Sequence, residues 1–331
     1  MSVEHRPVMI DEVMEAFAPF PPSGRICDAT FGGGGHTARL LELCSSCTVT
    51  AIDTDAEMIR RGRERFKAED RLTLVHGWFD EVLQGLRNLD RILLDVGISM
   101  FHLREAERGF SLREDGPLDM RLHTGDGTES AADLIQRLRE NELADLLFYY
   151  GEERYARRIA RAIVEKRGGG LRSTAELADI VRGAVPPQYR RGRNHPATRT
   201  FQAVRIAVND ELRRIERVVP AAAHALAPGG RLAVITFHSL EDRIVKRTFR
   251  RLSGRESSEG GPIVVHPDLS RAPNSRHSTA ATGAPMYEEE GSFREVTRKP
   301  LVPTRREVES NPASRSAKLR VLERHEGEFG K

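Results

Sequence analysis

The chain is poor in cysteine, with three in 331 residues, a usage that agrees with a reducing compartment. Cys44-x-x-Cys47 has a spacing found in metal and redox sites, but zinc wants four ligands and no second pair stands at a suitable distance. A thioredoxin-like pair would follow the first strand directly, and glycines occupy that place. Two reduced thiols are expected there, and no metal. Long apolar runs are missing too, none approaching the ~20 residues of a membrane span. Met1 to Phe20, interrupted by Glu4, Asp11, Glu12 and Glu15, does not read as a signal peptide. Cytoplasmic residence without membrane attachment is the expectation. Net charge is nearly absent, at +3 from 52 Lys and Arg against 49 Asp and Glu.

What is present describes a soluble globular protein, 39% apolar and 31% charged, long enough for one large domain or two. Cys27-Asp28-Ala29-Thr30-Phe31-Gly32-Gly33-Gly34-Gly35-His36-Thr37, followed by Thr50-Ala51-Ile52-Asp53, reads as strand, glycine turn, helix, and a second strand ending in an acid. Glycine lets backbone approach a ligand closely. An acid at that strand end stands where a ribose hydroxyl pair is held. The pattern points to an adenosine-type cofactor and leaves two open. Gly33-x-Gly35-x-x-Ala38 satisfies the dinucleotide fingerprint, which needs a pyrophosphate on a helix N-terminus. S-adenosylmethionine has no phosphate and carries a sulfonium cation.

Short apolar runs at Arg25 to Phe31, Thr48 to Asp53, Leu72 to His76 and Arg91 to Val96 suit parallel strands, with helical segments such as Ala56 to Phe66 between them. This is an α/β pattern, and in such sheets ligands lie beyond the carboxyl ends of the strands. Gly32 to Gly35, Asp53, Gly77 to Phe79 and Asp95 all fall at those ends. From about Arg104 to Arg199 the alternation gives way to helices and loops. It resumes with a helix from about Thr200 to Leu226, stopped by Pro228-Gly229-Gly230, and a fifth strand, Leu232 to Phe237. Residues 1–103 and 200–331 are therefore expected to form one discontinuous domain, with 104–199 an inserted helical one. Residues 253–292, rich in Gly, Ser, Pro and charge, read as an exposed mobile loop. Phe293 to Arg298 and Ala317 to Glu323 look like a last strand pair.

One stretch, most of it in the insertion, carries the charge that the whole chain lacks. Residues 151–217 hold 16 Lys and Arg against 8 Asp and Glu, so a phosphate-rich partner is one reason for the block. Ala156, Ile159, Ala160, Ile163 and Val164 form an apolar helical stripe, with Arg154, Arg157, Arg158 and Arg161 on the opposite side. A solvated helix face would show the same pattern. A second cluster, Tyr189-Arg190-Arg191-Gly192-Arg193-Asn194-His195, strengthens the nucleic-acid reading.

Leu226-Ala227-Pro228-Gly229-Gly230-Arg231-Leu232 resembles the turn before the fifth strand of class I methyltransferases, which favours S-adenosylmethionine over a nicotinamide dinucleotide. A more specific likeness runs through Asp28 to His36, Glu107-Arg108-Gly109-Phe110-Ser111, Asp115-Gly116-Pro117-Leu118-Asp119-Met120-Arg121, Tyr150-Gly151-Glu152-Glu153-Arg154, His195 to Ala203, Phe237-His238-Ser239-Leu240-Glu241-Asp242-Arg243, Asn311-Pro312 and Arg315 to Arg320. In this order they resemble the MraW (RsmH) family of bacterial enzymes that methylate cytosine N4 in 16S ribosomal RNA. The resemblance implies a class I, Rossmann-like sheet with an inserted helical domain, and a substrate in the decoding region of the small ribosomal subunit. A homodimer is compatible with it. Carried over by motif, Gly34, Gly35, His36, Asp53, Phe79, Asp95 and His102 are the cofactor positions. His102 stands where the family has glutamine, and imidazole cannot present the amide's paired hydrogen bonds.

N4 methylation asks for alignment of the amine with the methyl group and for an acceptor of the amine proton. The Asn/Asp-Pro-Pro-aromatic device of many amino methyltransferases is replaced here by Asp95-Val96-Gly97-Ile98. Asp95, Asp119, His238 and Ser239 are the catalytic candidates, with Glu241 nearby. Ser239 also suits a helix cap with Asp242 at the capping-box position. Arg157, Arg158, Arg161, Arg190, Arg191 and Arg193 are the candidates for RNA contact, and the cytosine must be unpaired or flipped to be reached. The rivals are a nicotinamide oxidoreductase and a non-catalytic RNA-binding assembly factor.

Overall fold

The computed structural model describes residues 7–97, 105–123, 128–256, 262–269 and 292–326. The chain divides into two compact units, one of Met1–Gly97, Leu212–Val264 and Ala284–Lys331, the other of Ile98–Glu211 and Val265–Gly283. The second unit thus takes in more chain than residues 104–199. His102 and most of 253–292 lie outside the described residues. Among the described residues, no helix is long and apolar enough to cross a membrane.

The first unit is a seven-stranded sheet of order β3-β2-β1-β4-β5-β7-β6. Its strands are β1 (Arg25–Asp28), β2 (Thr48–Asp53), β3 (Leu72–His76), β4 (Leu89–Asp95), β5 (Leu226–Thr236), β6 (Phe293–Glu295) and β7 (Lys318–Arg324). β1 to β5 are parallel, and β7 runs antiparallel to both β5 and β6. This is the class I, Rossmann-like sheet expected from the sequence. Parallel strands covered on both faces read as continuous apolar runs, and Ile92, Leu93 and Leu94 of β4 are all fully buried. From β1 the chain builds outward to β2 and β3, then returns to β4 on the other side. The order reverses between β1 and β4, which places the crevice of such a sheet at their carboxyl ends.

Helix α1 (Ile10–Phe17) lays Val13, Met14 and Phe17 into the core. Its last carbonyls have no partners within the helix, and two arginines from adjacent strands supply them. Arg91 donates from Nε to the Phe17 carbonyl at 2.7 Å and from Nη2 to that of Pro19 at 2.6 Å. Arg231, its register partner on β5, donates to the Ala16 and Ala18 carbonyls at 2.8 and 2.9 Å. The helix C-terminus, negative at its dipole end, and Glu323, 2.7 Å from Arg231 Nε, make this pair of like charges tolerable.

On the same side of the sheet α2 (Gly35–Leu43) ends at Cys44, which is joined to Cys47 in a disulfide. This corrects the expectation of two reduced thiols. The turn between α2 and β2 brings the two Cα atoms to 5.4 Å, within disulfide range. Helices α3 (Ala56–Arg65) and α4 (Phe79–Val82) follow β2 and β3. The strand expected from Leu232 begins earlier, at Leu226. It passes through Gly229 at φ 73° with a register irregularity opposite Leu89 and Arg91.

The second unit is helical: α5 (Ala131–Arg137), α6 (Glu140–Gly151), α7 (Ala156–Lys166), α8 (Thr174–Ala184), α9 (Pro187–Arg190) and α10 (Thr198–Asn209). Ser130 with Asp133 and Ser173 with Glu176 close capping boxes on α5 and α8. The apolar stripe of α7 is buried at Ala156, Ile159, Ala160 and Ile163. The single helix expected from Thr200 to Leu226 is two, because Asp210 adopts φ 52° and breaks the run between α10 and α11 (Glu211–Ala225). Just before that break, buried Asn209 accepts from the Leu122 N–H at 2.8 Å and donates to the Met120 carbonyl at 2.8 Å, pinning the 118–122 loop.

Removal of the Arg91 guanidinium strips donors from the end of α1. Arg91→Ala is expected to lower stability by roughly 2–4 kcal/mol in urea denaturation. A change within ~0.5 kcal/mol, typical of surface sites, would show that water replaces these bonds.

Candidate active site

Three neighbouring strands of the first unit, in the order β2-β1-β4, each deliver an acid at the carboxyl end: Asp53, Asp28 and Asp95. Asp53 accepts the backbone N–H of Gly32 at 2.7 Å through one oxygen and that of Asp55 at 2.8 Å through the other. Asp28 is fully buried and accepts the Thr37 hydroxyl at 2.6 Å, tying α2 to β1. The Thr30 hydroxyl accepts from the Asp95 N–H at 2.7 Å, linking the first-strand loop to β4. Asp95 Oδ1 is buried without a hydrogen-bond partner.

Burial, with the charge of Asp53 nearby, raises the Asp28 carboxyl to about 6, although the bonds from Thr37 and Thr30 oppose it. Burial first, and then the charges of Asp28 and Glu241, raise Asp95 to about 8. These two acids therefore stabilise the fold in full at low pH, and that contribution is lost as pH rises through about 6 and about 8. Beside the acids, the Arg65 guanidinium donates to the Gly33 carbonyl at 2.6 Å. A pyrophosphate would meet a cluster of acids that gains charge as Asp95 ionises toward pH ~8, whereas a sulfonium would relieve their repulsion. This donor set fits S-adenosylmethionine and disfavours a dinucleotide.

The glycine loop meets its constraint partly inside the protein. A Cβ on Gly34, which sits at φ 72°, would come within 2.7 Å of the Phe31 ring and 2.9 Å of Phe66. One on Gly35 would strike the Pro7 ring. At Gly32 a Cβ would meet nothing closer than 4.0 Å, so that side of the loop, beside Asp53, is open for a ligand. The His36 ring is buried, with Nε2 3.0 Å from the Val8 carbonyl and Nδ1 3.8 Å from Asp95 Oδ2. Phe79 is half-buried at the first turn of α4. Its neighbours form a cluster that the sequence reading missed. Buried Asp80 accepts from Arg214 at 2.6 Å and from Arg217 at 2.9 Å, and the Arg214 guanidinium lies 3.6 Å over the Trp78 ring. Asp28 was missed as well, although its place at a strand end was the available signal.

At the end of β5, His238 and not Ser239 caps α12 (Ser239–Leu252), with Glu241 in the capping-box position. This corrects the expected cap by one residue. Glu241 accepts the Phe237 and His238 N–H groups at 2.7 and 3.1 Å, and His238 Nε2 lies 3.0 Å from its other oxygen. Asp242 instead pairs with Lys318 at 3.0 Å and Arg320 at 2.7 Å. His238 and exposed Ser239 line a cleft of about 330 Å³ with Phe237, Arg315 and Lys318.

In the second unit Asp119 is gripped by Arg121 at 2.9 and 2.6 Å. Despite partial burial, bonds from the Arg121 side chain and backbone hold its carboxyl below the usual range. Arg157, Arg158 and Arg161 are exposed on α7, and Arg161 stands 3.5 Å from Glu140. Arg191 and Arg193 are exposed as well. Arg190 is engaged, donating to the Val185 and Gly183 carbonyls at 3.1 and 3.2 Å at the end of α8.

Calorimetry of S-adenosylmethionine against S-adenosylhomocysteine, which lacks the sulfonium charge, reads the acidic crevice directly. The preference for the cation is expected to grow by up to about tenfold between pH ~6 and ~9 as Asp28 and Asp95 ionise, and Asp95→Asn is expected to flatten it. A ratio independent of pH in the wild type would contradict this. Asp53→Ala is expected to weaken cofactor binding by roughly 1.5–3 kcal/mol, and Gly34→Val to weaken it through the strain at φ 72°. Unchanged affinity in both would remove the loop and Asp53 from the cofactor site.

Residues 2–325 match the MraW methylase family. The chain is 47% identical over 329 residues to a protein of Methylobacterium nodulans named ribosomal RNA small subunit methyltransferase H, covering 97% of this chain and 90% of that one. Proteins of the same name from Methylorubrum populi and Gluconobacter oxydans are 47% and 45% identical, over 98% and 96% of this chain and 88% and 92% of theirs. With its class I sheet and a crevice suited to a sulfonium, the chain belongs to the MraW methylase family of S-adenosylmethionine-dependent methyltransferases.

Proposed function

We propose that this protein transfers the methyl group of S-adenosylmethionine to the N4 amino group of a cytidine in the decoding region of 16S ribosomal RNA. The observation that carries the substrate is the near-full-length identity to proteins named as small-subunit ribosomal RNA methyltransferases. The acidic crevice carries the cofactor. The rival dinucleotide reading is disfavoured by the three acids, and the rival assembly-factor reading leaves the unpartnered Asp95 oxygen without a use.

The cofactor supplies an electrophilic methyl group. Asp53 and the open side of Gly32 would hold its ribose, with Gly34, Gly35, His36 and Phe79 around it. Asp95 is our candidate for the acceptor of the N4 proton. A carboxyl raised to about 8 is a stronger base than an ordinary carboxylate, and the ionised form that accepts the proton grows as pH rises toward that value. Asp119, tied to Arg121, suits an anchor of its loop better than a base. His238 and Ser239, in a cleft that also offers Arg315 and Lys318, suit contact with the RNA. The second unit contributes an exposed basic surface through Arg157, Arg158, Arg161, Arg191 and Arg193.

Nucleoside mass analysis of small-subunit particles incubated with the enzyme and cofactor is expected to yield N4-methylcytidine. Exclusive C5 or ribose methylation would overturn the position, and no methylation would favour the assembly factor. With Asp95 as acceptor, kcat/KM rises with pH toward an inflection near that residue's free-enzyme value, about 8. Asp95→Asn should remove the inflection and lower kcat by about 10²-fold or more. An unchanged profile in that variant assigns the proton to another group.

A further inference from the structure

Two basic clusters that stand apart in the sequence, Arg154 to Arg161 and Tyr189 to Arg193, are tied together in the second unit by one buried acid. Glu153 is fully buried. Its Oε1 accepts the Tyr155 N–H at 2.9 Å, and its Oε2 accepts the Tyr189 hydroxyl at 2.6 Å. The two tyrosine rings meet edge to face, with centroids 5.1 Å apart and planes at 79°. Arg154 lies over both, its Cζ 4.8 Å from the Tyr155 centroid and 5.0 Å from that of Tyr189.

A solvated arginine samples many rotamers, and a structural one usually finds a carboxylate. Arg154 does neither. It is exposed and has no ion pair among the described residues, yet two rings hold its guanidinium in place, so little side-chain entropy is left to lose on binding. Both rings are half-buried, which leaves aromatic surface beside the cation. Arg157 and Arg158 follow within the next turn, both exposed. An aromatic corner with a fixed guanidinium and flanking cations matches the chemistry of an unpaired ribonucleotide, whose base stacks and whose phosphate pairs. Duplex RNA would offer phosphates but no free base face.

We propose that Arg154, held in the corner of Tyr155 and Tyr189, is the anchor for an unpaired nucleotide of the substrate RNA. This rests on the RNA methyltransferase reading above and adds the anchoring residue and the strand state. Arg190, occupied at the end of α8, contributes less than its place in the sequence implies.

The test is filter binding of the full-length protein to a cytidine-containing single-stranded 16S-derived oligonucleotide and to the same sequence in a duplex, across a salt series. Arg154→Lys keeps the charge and loses the flat guanidinium. It is expected to weaken single-strand binding about fivefold to tenfold with an unchanged salt slope and little effect on duplex binding. The triple variant Arg157→Glu, Arg158→Glu, Arg161→Glu is expected to flatten the slope, by about 0.7 for each phosphate that is no longer neutralised. Equal single-strand affinity in Arg154→Lys and wild type overturns the anchor while leaving the RNA reading intact. A wild type that binds neither probe overturns both. Loss of binding to intact particles with naked RNA binding unchanged would make the corner a protein-binding surface, which also overturns the proposal. Cofactor calorimetry of each variant reports on folding independently.

Discussion

Burial of acids at the carboxyl end of the parallel sheet, with their mutual repulsion added to it, is the constraint on which the rest depends. Asp53, Asp28 and Asp95 arrive there because β2, β1 and β4 are neighbours in parallel register, and each strand ends on an acid. Such a cluster is costly in a buried setting, and the structure offsets the cost unevenly. Asp53 is satisfied by two backbone N–H groups and Asp28 by Thr37 and Thr30. Asp95 has one oxygen with no partner and a carboxyl raised further than that of Asp28. A buried cluster of acids of this kind favours a cation over an anion beside it.

The same need for backbone partners governs the opposite, amino-terminal ends of the strands. Arg91 and Arg231 enter from adjacent strands and satisfy the last carbonyls of α1. Arginine suits this because its rigid fork can meet several carbonyls at once and stays charged when buried. At both ends of the sheet, then, like charges are brought together by strand register. Their local partners decide whether they act as structure or remain available for chemistry.

Much of this was legible in the sequence because it follows local rules. Apolar runs with acids at their ends marked the strands, and the stripe of α7 marked its buried face. Features that depend on distant partners were not legible. Nothing around Glu153 announces that it bonds a tyrosine 36 residues away, nor does Asp80 announce arginines more than 130 residues on. The cap of α12 was displaced by one residue because Ser and His can both accept from a helix N–H, and backbone geometry chose His238. The thiols of Cys44 and Cys47 were read from compartment statistics, whereas the turn after α2 brings them within bonding reach. Even the glycines were recognised for an incomplete reason, since Phe31, Phe66 and Pro7 fill the space that a side chain at Gly34 or Gly35 would need.

A net charge of +3 conceals local charge of both signs. Asp53, Asp28 and Asp95 gather at strand ends of the first unit, while Arg157, Arg158 and Arg161 stand exposed on α7 of the second. By count the two units carry nearly equal charge, +1 and +2. Discrimination between a cation and a phosphate therefore rests on these local clusters, each effective within about a Debye length, and not on the net field of either unit.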